Sequence, residues 1–336
     1  MRTTSTPRCG IEGCEKMIAA LQQALAGNPD DLTLRYQLGI CYSGVCRPHS
    51  LTSPELALQH LRCTASGTGE MRDDLLRARV MALRGITYTR CSTLPLNARL
   101  SAAMECYQEA AALYFAQSRF TDWARMQFNL GNAWCDVRED RFLDKWEKAI
   151  SHYEQALFFR TREADPHGFA ATLENLGSAY RERKQGDKAT NVRQAINCYR
   201  RAAQVCRIGC APGQWAALHN NLGNAYLSLP ATDRDLETSW ARKAIRHFDL
   251  ALRVRTVEHS SLDYGITQLN RAQAYLRLGM ADSPADLTES ARSFREAHEA
   301  LIKAMRPQEA RMAARGFDLA VQAVTSSAFE ASPRPQ

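Results

Sequence analysis

No stretch of this chain reaches the roughly 18 consecutive apolar residues that a membrane-crossing helix needs. Met1–Gly13 holds no apolar core of secretory-leader length. The two absences point to the cytoplasm and to no membrane partner. No window alternates apolar and polar residues with period two over a strand's length, which argues against β-sheet. Phosphate-cradling glycine loops are missing too, because every Leu-Gly pair lies inside a helical pattern. The 8 histidines are scattered, and His152 and His247 recur on helices without a nucleophile to serve. Neither catalysis nor a cofactor is expected.

Charge of either sign is not in great excess. The 43 basic and 36 acidic residues leave a net +7, which leans toward an acidic partner without demanding one. The densest basic stretch, Arg181–Arg193, is broken by Glu182 and Asp187 and has no interleaved aromatics, so it reads as a solvated loop and not a nucleic-acid site. Cysteine, by contrast, is plentiful. The count of 11 is odd, and Cys106, Cys135 and Cys198 fall on packed helix faces, where a free thiol behaves as a small hydrophobe. Reduced thiols follow.

What is present is a repeat. Leu38-Gly39-Ile40-Cys41-Tyr42 returns as Gly85-Ile86-Thr87-Tyr88, Leu130-Gly131-Asn132-Ala133-Trp134, Leu176-Gly177-Ser178-Ala179-Tyr180, Leu222-Gly223-Asn224-Ala225-Tyr226 and the eroded Arg271-Ala272-Gln273-Ala274-Tyr275. The intervals are 46, 46, 46, 46 and 49 residues. A second phrase follows each copy, as in Ala149-Ile150-x-x-Tyr153-x-x-Ala156 and Ala244-Ile245-x-x-Phe248-x-x-Ala251. In both phrases apolar residues stand three and four apart, on one face of a helix. Glycine and alanine let two helices cross closely, and the aromatic fills the space they leave. Each unit is thus a helical hairpin that buries its apolar stripe only by stacking on the next. The fold class expected is all-α: a right-handed α-solenoid of about six hairpins, residues 14–305, with a helix from 14 to 26 before the first full repeat. A capping helix over 306–325 closes it, and the Ser/Thr/Pro-rich ends, 1–13 and 326–336, are expected to be disordered.

Leu-Gly-x-x-Tyr followed by Ala-x-x-x-Phe/Tyr-x-x-Ala resembles the tetratricopeptide repeat, though each copy here is about a dozen residues longer than that family's 34. Trp123-Ala124-x-x-Gln127-x-Asn129-Leu130-Gly131-Asn132-Ala133 and Asn175-Leu176-Gly177-Ser178-Ala179-Tyr180-Arg181-Glu182-Arg183 are similar to the long-period arrays found with caspase-like CHAT domains. So is Arg160-Thr161-Arg162-Glu163-Ala164-x-Pro166. The likeness covers roughly residues 30 to 305. It implies a non-catalytic scaffold that binds a polypeptide segment, serving as the regulatory subunit of an effector carried elsewhere.

Repeats three to six carry Asn129, Asn175, Asn221 and Asn270 just before the anchor. One turn later come Asn132, Ser178, Asn224 and Gln273. An amide offers donors and an acceptor, so two rows on the concave face could clamp an extended backbone. Neighbouring helices about 10 Å apart match some three residues of extended chain. The other reading is that each asparagine bonds a neighbouring helix and sets the twist. Arg79 and Arg125, at matching places one turn earlier, would hold a carboxylate of the partner; the other reading is that they are ordinary solvated arginines. The carboxylate clamp of chaperone-binding relatives needs Lys at that place in the first repeat, where this chain has Thr33, so that specificity is not carried over.

Two rival functions remain. Cys41, Cys46, His49 and Cys63 have ligand types that suit zinc, or a thiol-redox role. Self-assembly into homo-oligomers through the ends or convex faces is the other.

Overall fold

A computed structural model describes residues 11–44, 52–66, 73–138, 144–280 and 283–330, the side chains of 11–14, 63–66 and 327–330 aside. Among the described residues there are fourteen α-helices and no strand. The chain is an all-α solenoid, and it divides into two compact units, Met1–Arg160 and Thr161–Gln336.

The first unit holds α1 (Ile11–Gly27), α2 (Leu32–Ser43), α3 (Pro54–Ser66), α4 (Asp74–Arg90), α5 (Leu96–Ala116), α6 (Phe120–Asp136) and α7 (Lys145–Leu157). The second holds α8 (Pro166–Glu182), α9 (Lys188–Val205), α10 (Pro212–Ser228), α11 (Arg234–Leu252), α12 (Ser261–Gly279), α13 (Pro284–Lys303) and α14 (Pro307–Glu330). Hairpins one to three are α2–α3, α4–α5 and α6–α7. Hairpins four to six are α8–α9, α10–α11 and α12–α13. First helices of successive hairpins also touch where α2 meets α4 in the first unit and where α10 meets both α8 and α12 in the second.

Turn chemistry sets the helix starts. Asp31, Asp73, Asp165, Asp187 and Asp233 each cap a helix by accepting backbone N–H groups of its first turn. Pro166 and Pro212 then fit first-turn positions whose N–H has no partner to lose. Helix α2 ends on Gly44 at φ 62°, a left-handed cap that glycine adopts without strain. Both terminal helices exceed their expected spans. α1 begins at Ile11 instead of residue 14, and α14 runs to Glu330, into the segment expected to be disordered. Thr325 and Ser326 do not break α14, because both hydroxyls bond back to the Gln322 carbonyl.

The anchor glycine is where each hairpin locks. A Cβ built on Gly39 would stand 2.7 Å from Leu61, and one on Gly177 would stand 2.7 Å from the Tyr199 ring. Gly85, Gly131 and Gly223 are tighter still, against Tyr107, Tyr153 and Phe248. Hairpin six departs from this pattern. It has Ala272 where the others have glycine, and its Phe294 ring lies instead against Gly316 of α14. The closing helix therefore completes the last repeat's packing.

Candidate functional site

In the first unit, Arg79 of α4 and Arg125 of α6 are both exposed. They meet electrostatically at Tyr114 of α5. Burial pushes the Tyr114 hydroxyl up to about 12, Asp122 and Tyr36 push the same way, and Arg125 and Arg79 oppose them. Arg79 has no hydrogen-bond or ionic partner among the described residues. Arg125 is held loosely, at 3.4 Å from Asp122, whose carboxylate Arg119 grips at 2.7 Å. An exposed pair of this kind contributes at most about 1 kcal/mol. Arg125 can therefore turn to another carboxylate at little cost. Asn129, one turn on, is half-buried and makes no side-chain hydrogen bond among the described residues.

Next to Arg119 lies a feature missed at the level of sequence. Phe115, Phe120, Trp123 and Phe159 form a closed set of ring contacts with centroids 4.8–5.9 Å apart. Phe115 is 55% exposed, Phe159 is 36%, and the adjoining Phe158 is 75%. Burying apolar rings in water-free contact is strongly favourable, and the exposed faces of these rings go without it. The signal available beforehand was Phe158-Phe159 at the end of α7, after the last residue the hairpin needs for its own core.

The amide rows are largely occupied within the fold. Asn132 accepts a hydrogen bond from the Tyr153 hydroxyl at 2.8 Å, and Cys135 lies 3.4 Å from the same oxygen. Ser178 pairs with Tyr199 in the same way at 3.0 Å. Hairpin five has Phe248, which lacks a hydroxyl, and Asn224 has no side-chain bond among the described residues. In the row before the anchor, Asn221 donates to Glu174 of α8 at 3.2 Å, and Asn270 donates to Asn220 of α10 at 3.2 Å. Each reaches back to the first helix of the preceding hairpin, the internal-tie reading of that row. Asn175 is half-buried and Gln273 is exposed.

Glu174 anchors a polar seam of the second unit. Burial pushes its carboxyl up, while the Gln214 side chain and the charge of Arg255 hold it down. Arg255 is itself mostly enclosed and donates to Thr267 at 3.0 Å, with Asp263 at 3.8 Å. Asn221 thus supplies a donor to a carboxylate that needs one.

The zinc candidate falls mostly outside the described residues: Cys46 and His49 lie beyond them, as does the Cys63 side chain. Cys41 is half-buried and packs against Ile18, Leu38, Tyr42 and Ala57. Among the described residues no group of three or more His, Cys, Asp or Glu side chains is placed to hold a metal. The described cysteines are free thiols, and burial pushes Cys106 to about 11, where it stays protonated and unreactive. Among the described residues no helix is long and apolar enough to cross a membrane.

No family model matches the chain, and no curated protein matches it by sequence. Its likeness lies in solved structures. BtubC (BKLC) from P. vanneervenii is 18% identical, with 73% of this chain and 89% of that one covered, at a TM-score of 0.52. The Cut9 and Hcn1 hetero-tetramer of APC/C matches at 16% identity and a TM-score of 0.55, over 91% of this chain and 46% of that one. A Rap protein complexed with competence and sporulation factor matches at 13% identity and 0.53, over 94% and 80%. The fold is that of tetratricopeptide-like repeat proteins. Tetratricopeptide-like solenoids of such low identity share architecture, so the residues of the site have to be argued from this chain alone.

Proposed function

We propose that this tetratricopeptide-like chain is a non-catalytic, cytoplasmic scaffold that binds a segment of another protein, one bearing acidic and apolar side chains. The observation that carries the reading is the first unit's pairing of exposed Arg79 and Arg125 with the aromatic set Phe115, Phe120, Trp123 and Phe159. Arginine offers a planar fork that grips carboxylates in bidentate fashion, and exposed rings supply apolar area at small entropic cost. Asn129 adds an amide beside Arg125. Asn132, Asn221 and Asn270 serve mainly to hold the repeats. Two solved structures of this fold are complexes with other polypeptides by their descriptions, the Cut9–Hcn1 hetero-tetramer and the Rap complex. A regulatory subunit of a separately encoded effector fits the same chemistry.

The test is capture by immobilised protein, comparing wild type with Arg79→Glu/Arg125→Glu. The charge-reversed form is expected to stay folded by circular dichroism and to lose its captured proteins at least tenfold. Equal recovery by both forms would remove the basis for the reading. A second copy of the chain is the alternative occupant, favoured by Ile302, Met305 and Met312, which are 56%, 86% and 54% exposed. Capture between differently tagged copies distinguishes it.

A further inference from the structure

Hairpin five is closed by two histidines. His219 of α10 and His247 of α11 place their Nδ1 atoms 2.9 Å apart, with ring centroids at 5.2 Å and planes at 23°. That centroid separation is too long for face-to-face stacking and suits an end-on N–H···N hydrogen bond. One ring donates its Nδ1 proton, and the other accepts through a bare Nδ1 lone pair. The matching positions elsewhere hold different pairs. Hairpin three has Gln127 with His152, joined at 2.7 Å, and hairpin four has Leu173 with Cys198.

The surroundings leave the pair little tolerance for charge. Trp215 stands edge-on to His219 with centroids 4.3 Å apart, and Tyr226 lies parallel to His247 at 5.6 Å. Arg200 of α9 donates to the Tyr226 hydroxyl at 2.9 Å. Lys243 of α11 sits over the Tyr226 ring, and Arg246 of the same helix also acts on His247. Among the described residues, α8 and α12 bring no charge that acts on either ring, and no carboxylate does.

We propose that the His219–His247 pair is an acid-sensitive latch between α10 and α11. A first added proton leaves the N–H···N bond intact. A second places protons on both facing Nδ1 atoms, and the bond becomes a repulsive contact between two cations. Burial lowers the affinity of His219 for protons. It pushes His247 from the ordinary 6.5 down to about 4, with His219, Arg200 and Arg246 adding to the effect. The unfolded chain therefore takes up more protons than the folded one as pH falls below 6.5. Stability drops through that window and levels off near pH 4. Helix α10 also carries Asn220 and Asn221, the ties to α12 and α8. Opening the latch loosens the second unit as a whole. The inference does not depend on the proposed partner.

The test uses the whole chain and three forms: wild type, His219→Gln (the pair type of hairpin three) and His219→Leu/His247→Cys (the pair of hairpin four). Thermal unfolding at pH 7.5 and pH 5 should show the largest acid loss for wild type, about 4–8 °C more than for the double variant. His219→Gln should fall between. Imidazole nitrogen spectra of wild type should show one shared Nδ1 proton at neutral pH and two separated titration steps. If the double variant fails to fold, His219→Gln and the spectra still decide the matter. Equal acid losses, or two rings titrating independently near 6.5, would overturn the latch.

Discussion

Phe248→Ala is expected to lower the unfolding free energy by about 3–5 kcal/mol, the range for truncating a fully buried aromatic. The ring is 0% exposed and lies against the backbone of α10 at Gly223. Neither helix can close the gap, because their separation is set by neighbours on both sides. α10 packs on α8, α9, α11 and α12. A cavity there unsettles the centre of the second unit, and little relaxation is available to reduce the cost. Urea unfolding followed by Trp215 and Trp240 fluorescence, both in that unit, reads the loss. A change below about 1 kcal/mol would mean the hairpin does not depend on its ring.

Gly223→Ala should be the complementary result, with a sign that depends on its neighbour. Alanine gains about 1 kcal/mol over glycine in a helix interior. Here the new Cβ would stand 2.6 Å from Phe248 Cζ and 2.7 Å from Cδ1, and the enclosed ring cannot retreat. Overpacking of this kind costs about 1–3 kcal/mol or more, so the net effect is destabilising. In a Phe248→Ala background the obstacle is gone, and the same change should stabilise by about 1 kcal/mol. Gly213, on the same helix with nothing within 4 Å, provides the control, and its change to alanine should stabilise in either background. Additive effects of the two mutations at Gly223 and Phe248 would refute the interlock.

That interlock was legible in the repeats, because a residue recurring every 46 positions opposite another of fixed size reports a contact. The departure at hairpin six was less so. Ala272 signals an eroded anchor, but only the fold brings Gly316 under Phe294. The amide rows were legible as rows and not as bonds. Whether Asn221 faces a ligand or Glu174 depends on a 3.2 Å distance between helices that no periodicity encodes. Asn132 was half-readable: Tyr153 and Tyr199 each set their hydroxyl against a polar residue at this place, Asn132 and Ser178, whereas the matching place opposite Tyr107 holds Ile86. Phe248 breaks the pairing and leaves Asn224 outside it. The histidines follow a period too, since His60, His152 and His247 alternate with Cys106 and Cys198 on successive second helices. Read singly, they look like half-exposed surface residues. Half-exposed they are, but facing their own first helices each is desolvated enough that its protonation costs stability.

On the proposed reading Arg79 and Arg125 meet the partner, while Asn221 and Asn270 hold neighbouring helices. The direct measurement compares Arg79→Ala/Arg125→Ala with Asn221→Ala/Asn270→Ala for both urea stability and capture of the partner. The arginine variant should keep its stability to within about 0.5 kcal/mol and lose capture. The amide variant should lose about 2 kcal/mol, from two hydrogen bonds of about 1 kcal/mol each, and keep capture. An amide variant as stable as wild type that no longer captures the partner would contradict it.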